Sequence, residues 1–130
     1  DEDKEGNDND VSLVIAAYWN EDSFLFAADL EKVGIRSFLK SGIKTFDVVK
    51  MPHHGQKESN TDDFVESVQP RIALITDSVE SPADQKVLKI LANANADVFC
   101  SSECGRIVLT GTGTENYTVT TEKGGEISIP

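Results

Sequence analysis

The sequence predicts an α/β fold with helices packed on a mixed sheet. Three observations lead there. Short β-branched, apolar runs alternate with amphipathic stretches through the middle of the chain, in the order β-β-α-β-α-β-α-β-β-β. Polar clusters stand at the ends of three of those runs. Length also fits: 130 residues, 38% hydrophobic and 27% charged, suit one globular core.

Residues 1–10 are almost wholly acidic or polar and read as a disordered arm or linker; residues 11–130 form the single domain. The apolar runs 11–18 and 23–28, separated by the turn-like Trp19-Asn20-Glu21-Asp22, predict a β-hairpin, with Asp29 ending its second strand. Leu30, Val33, Phe38 and Leu39 recur at helical spacing and Gly42 follows as a stop, so 30–41 is a short helix. A strand over 46–51 leads to Pro52-His53-His54-Gly55 and a polar loop. Asn60 or Thr61 then caps a helix over 62–68, broken by Pro70. A strand at 71–76 precedes a helix that starts at Ser81-Pro82 and turns Val87, Leu88, Ile90 and Leu91 inward. A strand at 97–100 follows. Segments 106–109 and 117–121, parted by Gly111 and Gly113, read as a closing hairpin or a pair of edge strands.

Charge and composition exclude some functions. The net charge of −11 repels a phosphate backbone on average, and no Lys/Arg block supplies a local basic patch. A basic nucleic-acid-binding module is excluded, whereas a metal-centred enzyme acting on phosphodiesters is not. No apolar run reaches the roughly 20 residues that span a bilayer. Cys100 and Cys104 are too few and too close for a disulfide framework; one buried and one turn thiol are expected.

Asp29, His53-His54 and Asp77-Ser78 each follow a predicted strand and precede a helix. In open α/β sheets such loops converge on one edge, where ligands bind, so these residues are candidate neighbours. Asp29 is either a metal-binding carboxylate or the N-cap of the helix that follows. His53 and His54 are the only histidines, and adjacent imidazoles between Pro and Gly suit metal ligation or proton transfer better than packing.

These residues resemble a known family. Ser12-Leu13-Val14, the strand running into Ala28-Asp29-Leu30-Glu31, and above all Asp47-Val48-Val49-Lys50-Met51-Pro52-His53-His54-Gly55 are similar to metallo-β-lactamase-fold proteins of the ComEC type. These include the hydrolase domain of bacterial DNA-uptake competence proteins. The likeness continues through Gln69-Pro70-Arg71-Ile72 and Gly105-Arg106-Ile107. It implies the carboxy-terminal half of a metallo-β-lactamase-type αββα sandwich, with helices on one face of a mixed sheet. It further implies a metal-dependent phosphodiester hydrolase with two divalent ions, zinc or manganese, in the full-length protein. Asp29 would be the bridging metal ligand and the His53-His54 pair a catalytic ligand or proton donor, with His54 reaching the metal. Carboxylates also bind hard divalent metals, so Asp77 or Glu80 is a candidate substitute for the missing histidine ligand.

Three departures bear on that implication. The His-x-His-x-Asp-His cluster of the family's amino-terminal half is absent, Ser81 stands where a further histidine is usual, and Ala28 and Gln56 replace a usual Gly and Ser. The chain is therefore expected to be a fragment whose partner is the amino-terminal half of the fold or a second copy, inactive alone. The competing expectation is a non-catalytic binding or assembly module. A cytoplasmic location is expected, or an extracytoplasmic one within a competence protein.

Overall fold

The computed structural model describes residues 7–130. Its larger sheet has five strands in the order β1-β2-β3-β4-β5: β1 (Ile15–Trp19), β2 (Asp22–Phe26), β3 (Val48–Lys50), β4 (Ile72–Ile75) and β5 (Asp97–Cys100). β1 is antiparallel to β2, and the remaining pairs are parallel. The sheet is therefore mixed, as predicted. Helices α1 (Lys32–Lys40), α2 (Thr61–Val68) and α3 (Gln85–Asn93) make the three crossovers between consecutive parallel strands. Parallel neighbours joined in one direction by right-handed crossovers place all three helices on the same face.

The packing matches that topology. Leu25, Val49, Ala73 and Ile75 bury one sheet face against Ile35 and Phe38 of α1, Phe64, Val65 and Val68 of α2, and Val87 and Leu91 of α3. On the opposite face Val48, Ile72 and Phe99 meet Tyr117, Val119 and Ile129 of a second, antiparallel sheet. That sheet comprises β6 (Ile107–Gly111), β7 (Tyr117–Thr121) and β8 (Gly125–Ile129), in that order. The layers run helices, five-stranded sheet, three-stranded sheet.

Several elements differ from the sequence reading. Trp19 and Asp22 are strand residues rather than turn residues, leaving Asn20-Glu21 as the turn, with Asn20 at φ 52°. Asp22 is fully buried because its carboxylate accepts from the Gly113 and Glu115 amides, both at 2.8 Å. The chain closes with three strands instead of two, and a short helix, α4 (Ser101–Cys104), follows β5. Cys100 and Cys104 are free thiols, buried and half-buried. Of the arm expected over residues 1–10, residues 1–6 lie outside the described residues, while Asp8–Val11 form a 3₁₀ turn. The Asp10 carboxylate there accepts from the backbone of Glu31 at 3.1 Å and of Gly34 at 2.7 Å, which docks the turn on the first turn of α1.

Parallel register places the carboxyl ends of β2, β3, β4 and β5 side by side. Phe26 pairs with Lys50, Lys50 with Leu74, and Leu74 with Phe99. The segments carrying Asp29, His53-His54, Asp77 and Ser101 leave the sheet along that one edge.

Candidate functional site

The turn after β2 positions Asp29. Ala28 takes a left-handed φ of 52°, which only glycine adopts without strain. Asp29 does not cap α1. Glu31 occupies the N-cap position without a side-chain cap bond, and Asp10 binds the amides that a cap would serve. The Asp29 carboxylate, 45% exposed, instead lies 3.3 Å from His54 Nε2.

The His loop is unusual backbone. His53 and His54 both have left-handed φ, at 47° and 55°, and Gly55 follows at 77°. Consecutive left-handed residues other than glycine are costly and need support from their surroundings. Here the His53 amide donates to Ala28 O at 3.0 Å, tying this loop to the Asp29 turn, and the Asp84 amide donates to Gly55 O at 3.0 Å. Gly55 admits no side chain: a Cβ there would meet the Ala83 Cβ at 2.8 Å.

The histidine rings face different carboxylates. His54 Nδ1 is 2.6 Å from Thr76 O and 3.1 Å from Thr76 Oγ1. A carbonyl can only accept, so Nδ1 carries a proton, and Nε2 faces Asp29 as a lone pair in the neutral ring or as a second N–H in the imidazolium. With the ring neutral, the two acceptors 3.3 Å apart suit a cation between them, either a proton or a metal ion. The spacing equals that between ligand atoms of a tetrahedral zinc, roughly 3.3 Å for bonds of ~2.0–2.1 Å. The Nδ1–H to carbonyl bond is the outer contact that usually orients a ligating imidazole. Asp29 and His54 therefore fit a divalent ion. His53 turns elsewhere, its Nδ1 lying 3.7 Å from Glu31 Oε1.

Asp77 is bound into the protein. Its Oδ2 accepts from the Ala83 amide and the Ser102 hydroxyl, and its Oδ1 from the Ser102 amide, at 2.8–2.9 Å. Burial alone would raise the pKa of this carboxyl, but the donated hydrogen bonds outweigh it and hold the value below the usual 3.8. Asp77 thus staples the segment after β4 to α4. Ser101 reinforces the link, its hydroxyl accepting from the Asp77 amide and donating to the Asp77 carbonyl. Ser81 brings no ligating side chain to this edge; its amide donates to Ser78 Oγ. An open cleft of about 640 Å³ lies between His53, His54, Thr76, Asp77, Ser81 and Ser101. Behind the site, burial lowers the pKa of Lys50, with the nearby Asp29 charge acting in the opposite direction.

The sequence singles out Asp29 and both histidines but gives no sign of Thr76, Asp10 or Glu31. Thr76 acts through its carbonyl, one residue past the end of β4, which composition does not announce. The strain at Ala28 had a signal, namely the glycine usual at that position in the similar family.

No family model matches the chain. Over 104 residues, 76% of this chain, it is 32% identical to ComE operon protein 3 of Bacillus subtilis (strain 168). The match spans 13% of that protein's length. Most of the chain is thus similar to one short part of a much longer ComE operon protein.

Proposed function

We propose that this chain is the carboxy-terminal half of a metallo-β-lactamase-fold domain that hydrolyses phosphodiesters. The observation that carries the reading is the Asp29–His54 pair: a carboxylate oxygen and an imidazole nitrogen 3.3 Å apart, with the imidazole fixed by Thr76 O. The mixed sheet with helices on one face is compatible with this reading, being the arrangement expected of this half. Zinc or manganese would be held by Asp29 and His54 together with ligands from the amino-terminal half. An ion held there would supply a water of lowered pKa and positive charge beside the displaced oxygen.

The chain's own residues orient and screen. Thr76 fixes the His54 ring, Ala28 O and Gly55 O hold the His loop against its neighbours, and Asp77 keeps the cleft wall in place. Asp77 acts chiefly as this staple: both lone pairs of its Oδ2 are filled and its Oδ1 takes the Ser102 amide, which leaves one Oδ1 lone pair for a metal ion.

The partner is the amino-terminal half of the fold, and the edge β1 is where it would add. β1 is a terminal strand of the sheet, and Ile15, Trp19 and Phe26 are about half exposed beside it. The reading requires a His-x-His-x-Asp-His cluster upstream in the longer protein. Metal analysis of that protein should find about two ions, with Asp29→Ala removing most of one. A parent without the cluster, or full metal retention in Asp29→Ala, would sink the catalytic claim in favour of a binding module.

A further inference from the structure

We propose that Glu31, His53 and Glu58 form a separate cation site, built wholly within this chain, for a divalent transition-metal ion of the zinc class. The three residues come from different segments: the turn before α1, the His loop, and the loop before α2. Each is half-buried and offers one ligand atom, all within 4.8 Å of one another.

His53 supplies the first argument. Its Nδ1 is fully buried and makes no hydrogen bond, and the nearest carboxylate oxygen, Glu31 Oε1, is at 3.7 Å. That is too far for a hydrogen bond, and buried polar atoms are rarely left unmatched. The ring is also distinct from the Asp29 pair, its centroid lying 6.3 Å from that of His54 with the planes at 56°.

The carboxylates supply the second. Burial, then the facing Glu31 charge, pushes the Glu58 carboxyl up, with His53 opposing and Asp10 adding to the rise. Lys32 also opposes it, more weakly than the other groups. Two acids and an unmatched ring nitrogen share a space that a positive ion would satisfy.

The Glu31 carboxylate is held from outside, and Glu58 is anchored through its backbone. Glu31 Oε2 receives the side-chain amides of Asn7 and Asn9, which leaves Oε1 for His53. The Glu58 amide donates to Thr61 Oγ1 at 2.9 Å, and Lys57 Nζ donates to Glu58 O. One imidazole with two carboxylates suits zinc or manganese, whereas calcium takes six to eight oxygens. A tetrahedral ion needs ligand atoms roughly 3.3 Å apart, so the set, within 4.8 Å here, would have to draw together on binding, with the unanchored Glu58 carboxylate moving in. An ion there would pin the His loop to the starts of α1 and α2.

This site does not depend on the amino-terminal half, so it stands or falls apart from the hydrolase reading. The test is titration of the metal-stripped 130-residue chain with zinc, followed by calorimetry and by the shift in Tm, with cobalt as the spectroscopic probe. One saturable equivalent is expected, retained by Asp29→Asn and His54→Ala but weakened at least ten-fold by Glu58→Gln and by His53→Asn. Asparagine tolerates the left-handed backbone of position 53, and circular dichroism confirms the folding of each variant. No saturable binding overturns the proposal. So does binding that survives in Glu58→Gln but is lost in Asp29→Asn.

Discussion

At the scale of single residues, the site depends on backbone that side chains tolerate poorly. Ala28 spends about 1–2 kcal/mol in its left-handed conformation, of which glycine would recover part after its own entropy cost. Ala28→Gly is expected to raise stability by about 0.5–1 kcal/mol in urea unfolding; a destabilised variant would show that Ala28 packing outweighs its strain. Asp77 shows the opposite economy, one carboxylate satisfying two amides and a hydroxyl. Asp77→Ala should cost about 2–3 kcal/mol, because it leaves donors without acceptors. The pH dependence follows from the lowered Asp77 pKa. Its contribution is fully present above the unfolded value near 3.8 and disappears as pH falls through the lower folded value. Acid titration of stability should therefore be less steep below about pH 4 in Asp77→Ala than in the parent chain.

At the scale of elements, the two sheets are joined by a buried charge. Asp22, in the first hairpin, binds the amides of Gly113 and Glu115 in the loop between β6 and β7. Asp22→Ala is expected to cost about 2–4 kcal/mol and to increase hydrogen exchange in β6 and β7 more than in α1–α3. Equal exchange throughout would show that the second sheet does not rely on this link. Asp22 also shows why the sequence reading stopped short. An Asp after Trp-Asn-Glu reads as turn; its pairing with Trp19 across a two-residue turn makes it a strand residue, and a partner 91 positions away is what buries its carboxylate. The parallel strands were legible because residues 46–51 and 71–76 are apolar and β-branched, as doubly covered strands are. The last strand had a signal that went unused: Glu126-Ile127-Ser128-Ile129 alternates with period two behind Gly124-Gly125. Asp29 and the histidines were legible from their places at strand ends. The clusters around them were not, since Thr76, Asp10, Glu31 and Glu58 meet them only through tertiary packing.

At the scale of the whole molecule, the layers are complete on the helix side and open at β1. Ile15 pairs with Phe26 in register, and both present large apolar side chains about half exposed at the sheet's edge. An apolar cleft of about 230 Å³ involving Phe24, Phe26, Val48 and Leu109 continues from them between the two sheets. Contiguous apolar surface of this kind marks a place for another chain or domain. The isolated chain should self-associate on size-exclusion chromatography and become monomeric in Trp19→Lys, whereas a monomer at all concentrations would argue that this edge needs no cover. The most direct test of the account as a whole is the rate at which the longer protein hydrolyses a phosphodiester such as bis(p-nitrophenyl) phosphate with manganese or zinc. Asp29→Asn and His54→Ala should each lower kcat/KM by at least about 100-fold with folding intact, in line with the loss of a group that holds the metal. Wild-type kcat/KM in both variants would contradict the assignment of Asp29 and His54 to the reacting centre.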